Sequence, residues 1–164
     1  MRAVRVPPRA ASVAAGALVA SLPAAYPGTA TAGLTFRCSP SQPSVHRSFD
    51  YGTTLLRVEL PPHGHLIAGT LPGGGSMAEI RPDGSIRAKI GWWRGLPARL
   101  VISGRRLDAK AAPLRADLPS SNSYGVPGLY PSGLVFPTTG CWRVSAKLGR
   151  AHLSFTLLVT KVRH

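Results

Sequence analysis

One residue of this chain whose context suggests chemistry is a cysteine that lies between a glycine and a tryptophan. It occurs in the sequence TTGCWRV, as Cys141. A catalytic thiolate needs a lowered pKa, which a nearby histidine and a carboxylate or amide can provide. Only 23 residues follow Cys141, and the histidine within reach, His152, falls on the next predicted strand. The spacing argues against a cysteine nucleophile, and we predict no catalytic residue.

Two closely spaced histidines, His63 and His65, are the best metal-ligand candidates. On a β-strand they would point to the same side, but zinc sites use three or four ligands. His46 or His152 would have to complete the set through the fold. We therefore predict no metal and no cofactor. The alternative is a metal-dependent or hydrolytic enzyme that uses His63, His65 and an acid, and it requires these groups to meet in one cleft.

A second candidate region, the sequence GWWR, combines aromatic rings with a cation. Strand alternation points Trp92 into the core and leaves Trp93 and Arg94 for the surface. Tyr124 and Tyr130 follow in a predicted loop rich in Gly, Ser and Pro. Aromatic and arginine side chains are enriched in interfaces. The predicted binding residues are therefore Trp93, Arg94, Tyr124 and Tyr130.

The chain is strongly basic, with 20 Lys and Arg against 6 Asp and Glu and a formal net charge of +14. This charge favours attraction to polyanions. The expected partners are an anionic envelope polymer, a glycan or a protein, and not nucleic acid. The basic residues are scattered along the sequence, and only Arg105 and Arg106 are adjacent. The sequence alone therefore does not locate a polyanion site.

The N-terminus has the layout of a secretory signal peptide, predicted over residues 1–32. Arg2, Arg5 and Arg9 precede an alanine-rich apolar run, and the small residues Ala30 and Ala32 match a cleavage pattern. The apolar run is too short to span a bilayer comfortably, so we expect no transmembrane span after cleavage. This leader predicts a secreted or cell-surface bacterial protein.

Two cysteines in an exported chain predict one disulfide, Cys38 to Cys141. Cys38 lies in a segment rich in Pro, Ser and Arg, residues 33–48, which we predict to be an extended arm. Residues 49–164 form the predicted folded domain. In a strand that begins at Gly140, Trp142 and Val144 point inward and Cys141 points outward. The disulfide is therefore expected to attach the arm to the domain.

Short alternating apolar runs separated by Gly and Pro fill the predicted domain. Residues 54–60 alternate cleanly, and residues 83–84 are an Asp-Gly turn between two such runs. No helical periodicity follows the leader. Seven to nine short strands at this spacing predict an all-β fold, an immunoglobulin-like antiparallel β-sandwich.

Seven short motifs follow one another between residues 51 and 162. They are DGSI, GWWR, GRRLD, APLRA, PSGL, FP and GCW. The ordered set resembles a group of uncharacterised bacterial secreted proteins, some of which are lipoprotein-like. The resemblance implies an exported small β domain. It implies no particular activity and no functional residue. Together with the residues above, it predicts a non-enzymatic binding or accessory domain of the envelope; a purely structural module is the further alternative.

Overall fold

The computed structural model describes residues 36–43, 51–69, 78–120 and 124–162, all within one compact unit, Thr35–His164. The predicted signal peptide lies outside the described residues. The described part is all-β, with one short 3-10 turn at Pro62–Gly64. Its strands are β1 (Tyr51–Gly52), β2 (Leu56–Val58), β3 (His65–Ala68), β4 (Ala78–Ile80), β5 (Ile86–Arg94), β6 (Leu100–Arg106), β7 (Arg115–Asp117), β8 (Gly128–Phe136), β9 (Gly140–Leu148) and β10 (Ala151–Lys161).

The ten described strands form one open, mixed sheet with the order β1-β2-β5-β4-β3-β10-β9-β6. β8 pairs with the other edge of β5, and β7 pairs with β8. β3 runs parallel to both β10 and β4, so the sheet is not wholly antiparallel as predicted. The strands also exceed the predicted seven to nine, because β1 is a two-residue pairing with β2 too short to show alternation.

The sheet curls so that its two end strands, β6 and β7, approach each other without pairing as a strand ladder. Just before β7, the Leu114 backbone N–H donates to Gly104 O in β6 at 3.0 Å. The side chains inside the curl form one apolar core, whose largest fully buried members are Trp92, Trp142, Phe136 and Phe155. The inward orientation predicted for Trp92, Trp142 and Val144 is thus confirmed.

Both core tryptophans satisfy their indole N–H groups. Trp92 Nε1 donates to Ser132 Oγ at 2.8 Å, and that hydroxyl donates to Ile90 O. Trp142 Nε1 donates to Thr138 O at 3.0 Å, four residues upstream in the chain. A buried N–H without a partner would cost free energy, so these bonds fix the orientation of both rings.

The predicted disulfide between Cys38 and Cys141 is present, with a Cα–Cα distance of 5.6 Å. Alternation places Cys141 on the outer face of β9, yet it is only 1% exposed, since the arm is bonded to it. The arm also pairs with the edge of β10: Ser41 N–H donates to Thr156 O, and Thr156 N–H donates to Ser41 Oγ. Gly64 has a φ of 63°, and a side chain there would collide with Ser41 O.

Candidate functional site

The four predicted binding residues lie at one end of the β5–β8 pair but do not share a face. The Arg94 guanidinium lies 4.0 Å from the centroid of the Tyr130 ring, whose hydroxyl donates to Pro119 O at 2.7 Å. Both side chains face inward, whereas Trp93, being adjacent to Arg94 in the strand, faces outward. The predicted surface pair of Trp93 and Arg94 is therefore incorrect as a geometry. Their role in binding stays a prediction.

Two further observations concern these residues. Arg94 Nε is buried and has no hydrogen-bond partner among the described residues. Tyr124 is 59% exposed just before β8. The segment predicted to be a loop becomes strand from Gly128 onward, because Gly128 pairs with Arg94. Pro131 obscured this extension in the sequence, since proline argues against strand.

The histidines occupy separate environments. His63 lies in the 3-10 turn with a φ of 55°, so it does not alternate with His65 on a strand as assumed. His65 Nε2 lies 3.0 Å from Thr160 Oγ1, and His152 is exposed on β10. In the part of the chain that the structure describes, no three His, Cys, Asp or Glu residues are grouped to hold a metal ion. His46 lies outside those residues.

The outer face of β6, β9 and β10 gathers basic residues that are far apart in sequence. Strand register sets Arg105 opposite Arg143 and Val101 opposite Lys147. Lys147 in turn lies opposite His152 on β10. We call this surface the basic face; its members are Val101, Ser103, Arg105, Arg143, Ser145, Lys147, His152, Ser154 and Thr156.

A row of hydroxyl groups crosses the middle of the basic face. Ser103 pairs with Ser145 and Ser145 with Ser154 along the register of three strands. The hydroxyl oxygens of Ser145 and Ser154 are 3.3 Å apart. Two shallow depressions, of about 220 and 580 Å³, open on this surface. Hydroxyl groups can both donate and accept, so this row offers hydrogen bonds beside the cations.

Among the residues that the structure describes, no acidic side chain forms an ion pair with the basic face. The ion pairs of the described residues join Arg87 to Glu79 and Asp117, and Arg106 to Asp108. Asp108 is thus held by the neighbour of Arg105. The remaining described acids lie on or beside β2, β4 and β7: Glu59, Glu79, Asp83 and Asp117. Like charges directly opposite each other on a sheet are destabilising, so Arg105 and Arg143 repel each other, and neither forms an ion pair with a described residue.

Asp108 is held in its charged form by the Arg106 guanidinium, which donates to both carboxylate oxygens, and by the Cys141 N–H. Arg106 Nε donates to Asp108 Oδ1 at 2.7 Å, and the Cys141 N–H donates to the same oxygen at 3.2 Å. The Arg106 hydrogen bond chiefly lowers the pKa of the Asp108 carboxyl below its ordinary value of 3.8; burial opposes this, and the Cys141 N–H reinforces it. The same contact raises the pKa of Arg106. This pair fixes the end of β6 against β9.

A second surface feature lies on the outer face of β5 and β8. It is a cleft of about 730 Å³. Its floor is low because Gly91, Pro131 and Gly133 carry no long side chain, and Leu118, Pro119 and Leu129 form apolar walls. Charged side chains lie at its margins: Glu59, Arg87, Lys89 and Asp117.

The fold and these surfaces define the molecule as a disulfide-linked all-β domain. None of its described helical segments is long and apolar enough to cross a membrane. Comparison with protein-family models, with curated proteins and with solved structures finds no match to this chain. The resemblance to bacterial secreted proteins therefore stays a prediction, and the function must be argued from the surfaces.

Proposed function

We propose that this protein is an exported, non-enzymatic binding domain of the bacterial envelope whose basic face binds an anionic polymer. The observation that carries the proposal is the pairing of Arg105 with Arg143 across β6 and β9, where neither forms an ion pair with a described acid. An arrangement that costs stability in the free protein is explained if an anion lies over both guanidinium groups. Guanidinium groups bind phosphate and carboxylate through paired N–H donors.

A polymer fits this surface better than a single small anion. The cations Arg105, Arg143 and Lys147 spread over two strands, with His152 beyond them on a third. A chain with repeated charges can contact several of them at once and release several counterions, as polyanions do. Removal of the leader with Arg2, Arg5 and Arg9 leaves +11 of the formal net charge of +14, and this charge also attracts polyanions from a distance at low ionic strength.

Export is supported by chemistry that the described residues share with extracytoplasmic proteins. The protein contains the Cys38–Cys141 disulfide. Disulfides persist in oxidising compartments and are rare in reducing ones. The leader pattern of residues 1–32 points the same way. The immunoglobulin-like fold remains part of the proposal, and it is supported by the strand spacing in the sequence.

The proposal is tested by titrating the protein with poly(glycerol phosphate) at several NaCl concentrations. We expect Arg143→Glu to weaken binding by about tenfold, because it removes one cation and sets an acid beside Arg105. The loss of affinity with added salt should also become shallower, since fewer counterions are released.

Arg115→Glu on β7 is the matched control, because it makes the same change in net charge on an exposed strand outside the basic face. It should reduce affinity much less than Arg143→Glu. Equal losses would show that net charge alone drives binding, and a wild-type protein that does not bind the polymer would refute the proposal.

A further inference from the structure

The cleft over β5 and β8 owes its shape to missing side chains. On the outer face, Gly91 lies opposite Pro131 and Lys89 opposite Gly133. Gly133 leaves room for the Arg87 guanidinium, whose nearest nitrogen would be 3.1 Å from a Cβ at that position. The result is a concave apolar floor on a sheet face, with a volume in the range of small-ligand sites, roughly 300–1,000 Å³.

The charged residues around the cleft differ in whether they form ion pairs. Arg87 Nε lies 3.6 Å from Asp117 Oδ2, and Arg87 Nη1 lies 3.9 Å from Glu79 Oε1. Lys89 and Glu59, by contrast, form no ion pair within the described residues. The cleft therefore presents one unpaired cation and one unpaired anion beside an apolar floor.

Glu59 and Lys89 are separated along the sheet in a way that suits two ends of one ligand. The Glu59 N–H donates to Gly91 O, which sets Glu59 beside Gly91, two residues along β5 from Lys89. Such diagonal neighbours lie about 7–8 Å apart at their backbones. The apolar walls at Leu118, Pro119 and Leu129 stand alongside.

From this charge complementarity we infer that the cleft is a second binding site, for a short apolar peptide with both termini free. The carboxylate of the peptide contacts Lys89, its ammonium contacts Glu59, and its apolar side chains cover the floor at Pro131. A ligand with like charges at both ends would set one of them against a side chain of the same sign, whereas a zwitterion matches both Lys89 and Glu59. This site uses other strands than the basic face and does not depend on polymer binding.

The test uses leucyl-leucine as the probe, together with its N-acetyl and its C-terminal amide forms, in titrations followed by NMR. Wild-type protein should bind leucyl-leucine about fivefold more tightly than either capped form, because each cap removes one ionic contact. Lys89→Met should lose this preference over the amide only, and Glu59→Gln should lose it over the acetylated form only. This crossed pattern distinguishes specific contacts from a general loss of structure.

Lys147→Met on the basic face is the control, and poly(glycerol phosphate) binding is measured on the same variants. Lys147→Met should weaken polymer binding and leave dipeptide binding unchanged. Lys89→Met should weaken dipeptide binding and leave polymer binding unchanged. Failure of polymer binding alone would reject the proposed function and keep this inference. No dipeptide binding, or equal binding of capped and free forms in the wild type, would overturn the inference whatever the polymer does.

Discussion

At the scale of single residues, Arg105 and Arg106 show how neighbours in one strand acquire different roles. Arg106 is bonded to Asp108 and to Thr138 Oγ1. Gly140 has a φ of 135°, which favours glycine, and a side chain there would displace the Arg106 guanidinium. Arg105 points to the other face and keeps its charge available. One arginine therefore supports the fold and the other belongs to the basic face.

Asp108 gives the first prediction for stability. Asp108→Asn removes the ionic part of the contact with Arg106, and we expect it to lower the free energy of unfolding by roughly 0.5–1 kcal/mol at neutral pH. Because the pKa of Asp108 is lowered on folding, its contribution is complete above the ordinary value of 3.8 and is lost as the pH falls through the lower folded value. Urea unfolding of both proteins from pH 7 to pH 2 measures the difference.

The stability gap between wild type and Asp108→Asn should narrow below pH 3.8, the ordinary pKa of this carboxyl. Asp117→Asn is a suitable comparison, since Asp117 lies 3.6 Å from Arg87 with a side chain that is 58% exposed. It should change stability less. A gap for Asp108→Asn that persisted unchanged into acid would rule out the ionised carboxyl as its source.

At the scale of strands, the pairing of β6 with β9 links stability to binding. Arg143→Glu replaces a like-charged cross-strand pair with an oppositely charged one, next to Arg105. Pairs of this kind contribute about 0.2–1 kcal/mol, so we expect the variant to unfold at higher urea concentration than the wild type. We expect the same variant to bind the anionic polymer less well. Stability and affinity should therefore change in opposite directions.

Arg105→Glu provides the reciprocal check of that prediction, because it creates the same opposite-charge pair with the charges exchanged. Both variants should be more stable than the wild type, and the double variant, with two acids opposite each other, should not. A single variant less stable than the wild type would show that repulsion between the two arginines does not destabilise the free protein.

Strand alternation explains what the sequence could predict at this scale. It placed Trp142 and Val144 inside and Cys141 and Arg143 outside, since side chains alternate in any strand. The hairpin of β9 with β10 followed from the Leu148-Gly149 turn, but the pattern could not predict that β6 lies on the other side of β9. The register that sets Arg105 opposite Arg143 joins residues 38 positions apart, and local patterns carry no information about such pairing.

The candidate surfaces were missed for the same reason. The basic face needs the register of β6, β9 and β10, and the cleft needs Gly91, Pro131 and Gly133 to be neighbours. Pro131 was assigned to a loop in the sequence, although here it lies on the floor of a sheet surface opposite Gly91. The parallel pairing of β3 with β10 was equally invisible, because an apolar pattern does not specify strand direction.

At the scale of the whole molecule, charge is divided between two parts of the sheet. The strands β6, β9 and β10 carry unpaired cations on their outer face, whereas β2, β4, β5 and β7 carry both signs. The arm borders the basic face. Ser41 is hydrogen-bonded to Thr156, and Cys38 forms the disulfide with Cys141, which lies two residues from Arg143. The disulfide therefore closes one end of the proposed polymer site as well as holding the arm.

Removing this disulfide is the prediction that tests the molecule as a whole. The two cysteines are 103 residues apart, and a cross-link over a loop of that length restricts the unfolded chain by up to about 4.7 kcal/mol in the chain-entropy description. We expect Cys38→Ser/Cys141→Ser to lower the free energy of unfolding by about 2–4 kcal/mol. Urea unfolding with and without reductant measures this effect.

Reductant provides the internal control for the disulfide, since it should destabilise the wild type and leave the double variant unchanged. Wild-type stability that did not respond to complete reduction would contradict the prediction. Polymer binding, measured where the variant is still folded, should fall less than with Arg143→Glu, because all the cations of the basic face remain on paired strands. A larger fall would mean that the arm itself contacts the polymer, and it would extend the binding surface from the three strands to residues 36–43.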